Sequence, residues 1–257
     1  MNTHKSSVSV CIAVYNGELF IEEQIQSILC QLRVDDELIL VNDASPDSSM
    51  KIASTINDHR IKIINMDKNR GHISAFETGI KAALGEIIFL ADQDDIWYPE
   101  KIVTVLQYFE SNSEVAYVYH NLRRVDEMGV PLLGNFPTHR ARNWYSLPFL
   151  LSHFVRPQIF GCGSAFSRRV LPIALPFPAE VYAHEHWLAT CSSMVGRVQF
   201  ISEVLVDYRQ HGSNQSPKAR LPVLKSLRMR IMLLTLLIKA LIMRIKHTKN
   251  IANRSSS

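Results

Sequence analysis

The sequence predicts an α/β fold in which helices cover both faces of a mostly parallel β-sheet. Two observations predict this fold. Strand-like and helix-like segments alternate from about residue 8 to residue 98, and most of the strand-like segments are short, mainly apolar runs, as strands buried on both faces are. A chain of 257 residues, 47% of them apolar, is long enough to enclose one substantial core. Repeated strand-helix-strand units imply parallel strands joined by crossover helices.

The individual elements follow from apolar spacing and turn residues. Strands are predicted at residues 8–14, 37–41, 61–65, 86–91, 115–119 and 161–166, with one or two short strands over residues 198–208. Helices are predicted at residues 18–32, 48–56, 73–84, 99–110 and 185–195. Residues 123–157, rich in aromatic, basic and proline residues, are expected to be irregular.

Charge and cysteine usage limit the function classes. The chain has 28 Lys and Arg residues against 24 Asp and Glu, a formal net charge of +4, which is too small to indicate nucleic-acid binding. Its four cysteines form no CxxC pair, so we expect neither a zinc knuckle nor a disulfide framework. Residues 1–7 are polar and lack the apolar segment of a signal peptide. We therefore expect a cytoplasmic protein.

Acidic and amide side chains follow three of the predicted strands, at the sheet edge where open α/β folds bind ligands. They are Asn16 and Glu18, then Asp43, and finally Asp92, Asp94 and Asp95. The last three carboxylates repel one another, so their proximity is costly unless a cation binds them, and oxygen ligands of this kind suit Mg²⁺ or Mn²⁺. The alternative is an acidic turn in which Asp95 caps the helix that begins near Pro99.

The most specific motif is NRGHISAFETGIKAALGEIIFLADQDDIWYPEKI at residues 69–102. It resembles the core of family 2 glycosyltransferases with the Rossmann-like GT-A fold, especially their bacterial rhamnosyltransferase-like branch. VSVCIAVYNGELFIEEQIQSILCQ at residues 8–31 and LILVNDASPDSS at residues 38–49 are similar to that family's first two strands and nucleotide loop. HEHWLA at residues 184–189 and YRQHGSN at residues 208–214 match its acceptor-side motifs.

The resemblance implies roles for eight residues. Around the nucleotide base and ribose it places Tyr15, Asn16, Glu18, Asp43 and Asp92. It implies that Asp94 binds the metal ion, that His211 is a second metal ligand and that Glu185 is the general base. A sugar hydroxyl is a poor nucleophile, so a carboxylate has to accept its proton as C1 of the donor becomes oxocarbenium-like. A cation stabilises the departing diphosphate, and attack opposite to it inverts the anomeric centre.

Three residues depart from the family's pattern. Ala13 replaces a frequent Pro, Asn42 replaces the first acid of an Asp-Asp pair, and Glu185 stands where Asp is more common. The first two changes are expected to affect recognition of the base. The third keeps a carboxylate and extends its reach by one methylene.

Several of these residues also have a plainer interpretation. Tyr15 and Trp97 fit half-buried aromatic residues at the rim of the sheet, and Asp43 fits an Asx-type turn. Glu185 would favour the dipole of a helix that begins near it. His211, in a Gly-Ser-Asn loop, fits a surface histidine.

The sequence divides into a catalytic domain at residues 1–217 and a tail at residues 218–257. Residues from about 8 to 98 form the predicted nucleotide-binding part, and residues from about 99 to 217 form the predicted acceptor part. The tail has many Lys and Arg but no Asp or Glu, and it predicts a basic amphipathic helix too short in its apolar run to span a bilayer. We expect residues 220–247 to lie peripherally on an anionic inner membrane face. The alternative is packing on the catalytic domain or on another subunit.

The function that the resemblance implies is an inverting, metal-dependent glycosyltransferase of cell-surface polysaccharide synthesis. Its donor would be a nucleotide sugar, with rhamnose on dTDP or UDP as the implied case, and its acceptor a glycan or a lipid-linked glycan. One alternative is a sugar nucleotidyltransferase, although YNGE after the first strand is not the Gly-rich basic loop of that class. Another is a catalytically silent nucleotide-sugar binding module, which would not need both Glu185 and His211.

Overall fold

A computed structural model describes residues 6–132 and 159–212, together with Leu234, Thr235, Ile238, Lys239 and Ile242. Its strands are β1 (Val8–Val14), β2 (Glu37–Asn42), β3 (Ile61–Asn65), β4 (Ile87–Ala91), β5 (Ile96–Trp97), β6 (Val115–Val125), β7 (Ser164–Ser167) and β8 (Arg197–Arg209). Its helices are α1 (Ile21–Leu29), α2 (Ser49–Thr55), α3 (His72–Ala82), α4 (Lys101–Ser111), the single-turn α5 (Leu171–Ala174) and α6 (His184–Val195).

The strands form one sheet in the order β3-β2-β1-β4-β7-β6-β8-β5. The first four strands in this order are parallel, as the repeated strand-helix units predict. β7 runs antiparallel to both β4 and β6, whereas β8 is parallel to β6, so the complete sheet is mixed. The carboxyl ends of β1, β2 and β4 lie at one edge, and the loops that follow them meet there.

Helices cover both faces of the sheet, as predicted. Residues that alternate along β1 point to opposite faces: Val10 and Ile12 pack with α1 and α4, whereas Cys11 packs with α3 and α6. Ile25 of α1 and Trp187 of α6 are fully buried in these two layers. The mainly apolar character of β1, β2 and β4 is thus explained by burial on both sides.

The second half of the sheet differs from the prediction. β6 continues to Val125, so residues 123–125 are strand rather than irregular, and β8 is one long strand rather than one or two short ones. Register shifts interrupt the β6–β8 pairing, and such bulges disturb the alternation from which strands are predicted. Residues 161–163 form a 3₁₀ turn rather than the start of a strand. Residues 133–157 of the predicted irregular stretch lie outside the described residues.

Most of the predicted tail helix also lies outside the described residues. The five that are described, from Leu234 to Ile242, are all helical. No helix within the described part of the chain is both long enough and apolar enough to cross a bilayer.

We predict that Gly85→Ala destabilises the fold by about 1–3 kcal/mol, the usual cost of overpacking a core. Gly85 donates its N–H to Ser9 Oγ at 2.7 Å, and a Cβ there would lie 2.5 Å from the Ser9 backbone nitrogen. Urea unfolding measures the change. Gly212→Ala is the control, because a Cβ at Gly212 meets nothing within 4 Å. Equal stability of the two variants would contradict the close approach.

Candidate active site at the carboxyl ends of the parallel strands

The loop after β1 is tied to the loops after β2 and β4. The Tyr15 N–H donates to Gln93 Oε1 at 2.9 Å, and Gln93 Nε2 donates to the Tyr15 carbonyl at 2.8 Å. The N–H of Asn16, a residue in the left-handed region at φ 54°, donates to Ser45 Oγ at 2.8 Å. Both predicted site residues, Tyr15 and Asn16, have exposed side chains at this edge.

Glu18 joins the same loop to the start of α2. Glu18 Oε2 accepts a hydrogen bond from the Ser48 N–H at 2.9 Å, and the Glu18 N–H donates to Asp47 Oδ2 at 3.0 Å. Carboxylates at the amino end of a helix satisfy its unpaired N–H groups and favour its dipole. Glu18 is exposed and therefore also faces the surface that a ligand would contact.

Asp43 holds the loop that precedes α3. Its two buried carboxylate oxygens accept the N–H groups of Arg70 at 2.7 Å and Gly71 at 2.8 Å. The Asx-type turn of this segment is made instead by Asn42, whose Oδ1 accepts the Ser45 N–H at 2.8 Å. The turn interpretation thus applies to Asn42 and not to Asp43.

Three carboxylates lie directly after β4. Asp94 and Asp95 are buried, whereas Asp92 is partly exposed. Removal from water, together with repulsion between neighbouring carboxylates, raises the pKa of both Asp92 and Asp95. Asp95 Oδ1 accepts the Arg209 N–H at 3.0 Å, and α4 begins only at Lys101. Asp95 is therefore not the cap of that helix.

A buried lysine lies beside this acidic group. Lys101 Nζ donates to the Cys162 carbonyl at 2.6 Å and lies 3.6 Å from the centre of the Trp97 ring. Burial lowers the pKa of Lys101 to about 7, although Asp92 and Asp95 act in the opposite direction. Trp97 itself is 2% exposed, so it belongs to the core and not to the rim of the sheet.

Two groups of side chains offer ligands to a cation. Asp94 Oδ2 and His211 Nε2 are 2.7 Å apart, and the His211 side chain is only 10% exposed, so His211 is not a surface histidine. Ligand atoms of Asp92, Asp95 and Cys162 also lie within 4.8 Å of one another. Burial raises the pKa of the Cys162 thiol, and a protonated thiol is a poor ligand for a hard cation.

The Asp94–His211 pair fits Mg²⁺ or Mn²⁺ better. Both ions accept carboxylate oxygens and imidazole nitrogens. Ligands about 2.1 Å from an octahedral ion, at right angles to each other, lie about 3 Å apart. The present Asp94–His211 separation of 2.7 Å needs little adjustment to reach that spacing.

Glu185 lies in the first turn of α6, and its side chain is 17% exposed. Its carboxylate oxygens lie 3.5 Å from His184 Nδ1 and 3.8 Å from His186 Nε2. Burial, with a smaller contribution from the charge of Asp92, raises the pKa of Glu185 to about 7. Burial also lowers the pKa values of both histidines, which are therefore neutral at pH 7. Glu185 is thus a weakly acidic carboxyl group, and it lies close enough to Asp92 for the charge of Asp92 to affect its pKa.

Sequence reasoning missed Gln93, Lys101 and Arg209 at this site. Gln93 stands inside the acidic motif, and Arg209 stands two residues before His211. Lys101 precedes Val105 by four residues, so it falls on the apolar face of α4. Its position on an apolar helix face is the one sequence signal that indicates a buried charge at Lys101.

Comparisons with known proteins identify the family. The model of Glycosyl transferase family 2 matches residues 9–172, which is more than half of the chain. An uncharacterised glycosyltransferase of Nostoc sp. is 28% identical over 221 residues, covering 82% of this chain and 67% of that protein. An uncharacterised glycosyltransferase of Rickettsia typhi is 30% identical over 223 residues, covering 85% of this chain and 68% of that protein.

Solved structures share the fold at lower sequence identity. TarS 1–349 of S. aureus in complex with UDP-GlcNAc superposes with a TM-score of 0.69 at 16% identity, covering 88% of this chain and 66% of that chain. The mannosyltransferase PcManGT of Pyrobaculum calidifontis, in complex with GDP-Man and Mn²⁺, gives 0.64 at 18% identity, covering 96% and 76%. These similarities confirm the predicted GT-A fold, and the match over residues 9–172 shows that the chain belongs to glycosyl transferase family 2.

Proposed function

We propose that the protein is an inverting, metal-dependent glycosyltransferase that moves a sugar from a nucleoside-diphosphate donor to a glycan or lipid-linked acceptor. The observation that supports this most directly is the position of Glu185. Its carboxyl group, with a pKa of about 7, interacts with Asp92 of the acidic group that also contains Asp94. A weakly acidic carboxyl group near a cation-binding edge suits proton transfer from an acceptor hydroxyl.

On the donor side, the proposal assigns the nucleotide to the surface formed by the loops after β1, β2 and β4. The exposed Tyr15 ring and the Asn16 side chain would contact the base, and Asp92 the ribose. Glu18 and Asp43 would shape the same site, because their carboxylates hold the backbone of neighbouring loops. Complexes of TarS with UDP-GlcNAc and of PcManGT with GDP-Man support a nucleotide-sugar donor.

For the cation, the proposal takes Asp94 and His211 as the protein ligands. When bound, Mg²⁺ or Mn²⁺ supplies positive charge that stabilises the departing nucleoside diphosphate. The Mn²⁺ in the PcManGT complex supports this choice of ion.

On the acceptor side, Glu185 would accept the proton of the attacking hydroxyl. The new bond forms between the acceptor oxygen and C1 of the sugar, while the bond from C1 to the diphosphate oxygen breaks on the opposite face and inverts the anomeric centre. His184 and His186 stay neutral near pH 7 and therefore do not stabilise the ionised form of Glu185. The carboxylate consequently remains basic enough to accept a proton.

The finer assignments are also proposals. The D-Q-D-D-I-W motif of residues 92–97 supports a rhamnose donor on dTDP or UDP, and a role in cell-surface polysaccharide synthesis follows from that resemblance. We propose residues 1–217 as the catalytic domain, with residues of about 8–98 for the nucleotide and about 99–217 for the acceptor. Residues 218–257 would form a basic amphipathic helix and tail.

We propose that the tail contacts the inner face of an anionic membrane through residues 220–247. Leu234, Ile238 and Ile242 are helical, about half exposed and four residues apart, so they lie on one side of a helix. Lys239 Nζ contacts Glu180 Oε2 at 2.5 Å, which connects the tail to the catalytic domain. Apolar residues facing outward, with many basic residues and no Asp or Glu, favour an interfacial helix.

We predict that Asp94→Ala lowers turnover at least about 100-fold, because the developing charge on the diphosphate loses its stabilisation. The assay measures nucleoside diphosphate released from UDP-, dTDP- and GDP-sugars with Mn²⁺. Glu86→Ala, an exposed acid at the opposite edge of the sheet, is the control and should act as wild type. Unchanged turnover in Asp94→Ala would contradict the metal assignment.

A separate assay tests the alternative enzyme class. Release of pyrophosphate from a nucleoside triphosphate and a sugar phosphate would indicate a nucleotidyltransferase.

We predict that the transfer rate rises with pH through about 7, because Glu185 becomes a base only when its raised pKa is exceeded. Glu185→Gln should lose about 100- to 10,000-fold in transfer, the usual contribution of a general base, and should still bind donor nucleotide in calorimetry. Glu86→Gln is the matched control. If Glu185→Gln kept both its rate and the rise near pH 7, another group would be the base.

We predict that Ile238→Asp weakens sedimentation with phosphatidylglycerol vesicles about tenfold or more, because it removes an exposed apolar side chain that would be buried in the membrane interface. Thr235→Asp adds the same charge at another exposed position and should have a smaller effect. Removal of residues 220–257 should abolish binding. Undiminished binding of the truncated chain would rule out the membrane role of the tail.

A further inference from the structure

Arg209 is a buried charged residue at the end of β8, only 4% exposed. Its guanidinium donates from Nε to the Asp94 carbonyl at 2.9 Å, from Nη1 to the Glu127 carbonyl at 2.6 Å and from Nη2 to Glu23 Oε2 at 2.6 Å. The three acceptors belong to the loop after β4, the turn after β6 and helix α1. One planar group thus joins three segments that are distant in sequence.

The backbone around Arg209 is held in the same way. The Arg209 N–H donates to Asp95 Oδ1 at 3.0 Å, and the Gly212 N–H donates to Glu127 Oε1 at 3.3 Å. His211 lies between these two anchored positions. The Phe20 ring packs near both residues. Its centre lies 4.7 Å from the Arg209 guanidinium carbon and 5.0 Å from the centre of the His211 ring.

The Arg209 side chain therefore holds Asp94 directly and holds the segment that carries His211 through Glu127. It binds the main chain of Asp94 directly, and it stands two residues before His211 in an anchored segment. A ligand pair binds a cation tightly only when its atoms are already held within about 0.5 Å of the required positions. Residues behind the ligands commonly change metal affinity about 10- to 100-fold when they are replaced.

We propose that Arg209 is a positioning residue that sets the affinity of the Asp94–His211 pair for a divalent cation. The proposal rests on the proposed function, because it takes these two residues as the metal ligands. Arginine suits this position better than lysine, since its five donors in a rigid plane can reach three acceptors at once. The positive charge is balanced in part by Glu23, whose side chain is 57% exposed.

The test measures binding of Mn²⁺ alone to the full chain, by the loss of the free Mn²⁺ signal in electron paramagnetic resonance. We expect Arg209→Gln to raise the Mn²⁺ dissociation constant about 10- to 100-fold. The number of sites per folded protein should not change. Arg209→Lys should give an intermediate value, because one ammonium cannot replace all three contacts.

Arg123→Gln is the matched control. Arg123 makes a bidentate ion pair with Asp207 of β8, with both distances at 2.6 Å, and contacts neither member of the ligand pair in any described hydrogen bond. We expect its Mn²⁺ affinity to stay within about twofold of wild type, as for independent sites. A purely structural role of Arg209 would lower the fraction of protein that binds Mn²⁺, measured against circular dichroism, and leave the dissociation constant unchanged.

The outcomes separate this proposal from the proposed function. If wild type binds no Mn²⁺, the metal assignment fails and the positioning role falls with it. If wild type binds and Arg209→Gln binds equally well, only the positioning role is overturned. If Arg209→Gln does not fold, the Mn²⁺ dissociation constant of Arg209→Lys is compared with that of wild type instead. If neither variant folds, Arg209 is required for folding, and the proposal is overturned.

Discussion

The crowding of three carboxyl groups after β4 is the constraint on which the site depends. Removal from water, together with this crowding, raises the pKa of Asp92 and Asp95. Carboxylates in a poorly solvated position repel one another, and they persist there only with positive charge or hydrogen-bond donors nearby. The described structure supplies both: Lys101 of α4 lies beside Asp92 and Asp95. From β8, the Arg209 main-chain N–H donates to the Asp95 carboxylate, and the Arg209 guanidinium donates to the Asp94 main-chain carbonyl. The charged edge of the parallel strands is therefore complete only when β8 is in place.

Much of the fold follows from local patterns. Strands β1, β2 and β4 are buried on both faces and are mainly apolar, and the helices between the parallel strands show helical spacing. The edge strand β3 is partly exposed and includes Lys62. Pairing between β6 and β8 joins residues about 80 positions apart and contains register shifts, so no local pattern indicates it. The same holds for Arg209, whose partners at the acidic motif are 114 and 115 positions away.

The site illustrates the same difference. That acids and amides gather at the carboxyl edge was predictable, because strand direction alone brings those positions together. The individual hydrogen bonds of these side chains were not predictable. Asn42 makes the turn that was expected of Asp43, and Asp43 instead accepts the N–H groups of Arg70 and Gly71. Neighbouring residues of similar chemistry exchange such roles through the direction of their side chains, which a sequence does not specify.

The two sides of the site are held in different ways. The loops proposed to bind the donor are linked by hydrogen bonds of 2.7 to 2.9 Å between side chains and backbone, as at Tyr15, Asn16 and Asp43. Little ordering would therefore remain to oppose binding of the proposed nucleotide. Glu185 has longer contacts, 3.5 and 3.8 Å, with its neighbouring histidines. Its raised pKa comes first from burial and only then from Asp92. The basicity of Glu185 is therefore set mainly by its own packing on α6, and these long contacts would leave its carboxylate oxygens available to the proposed acceptor hydroxyl.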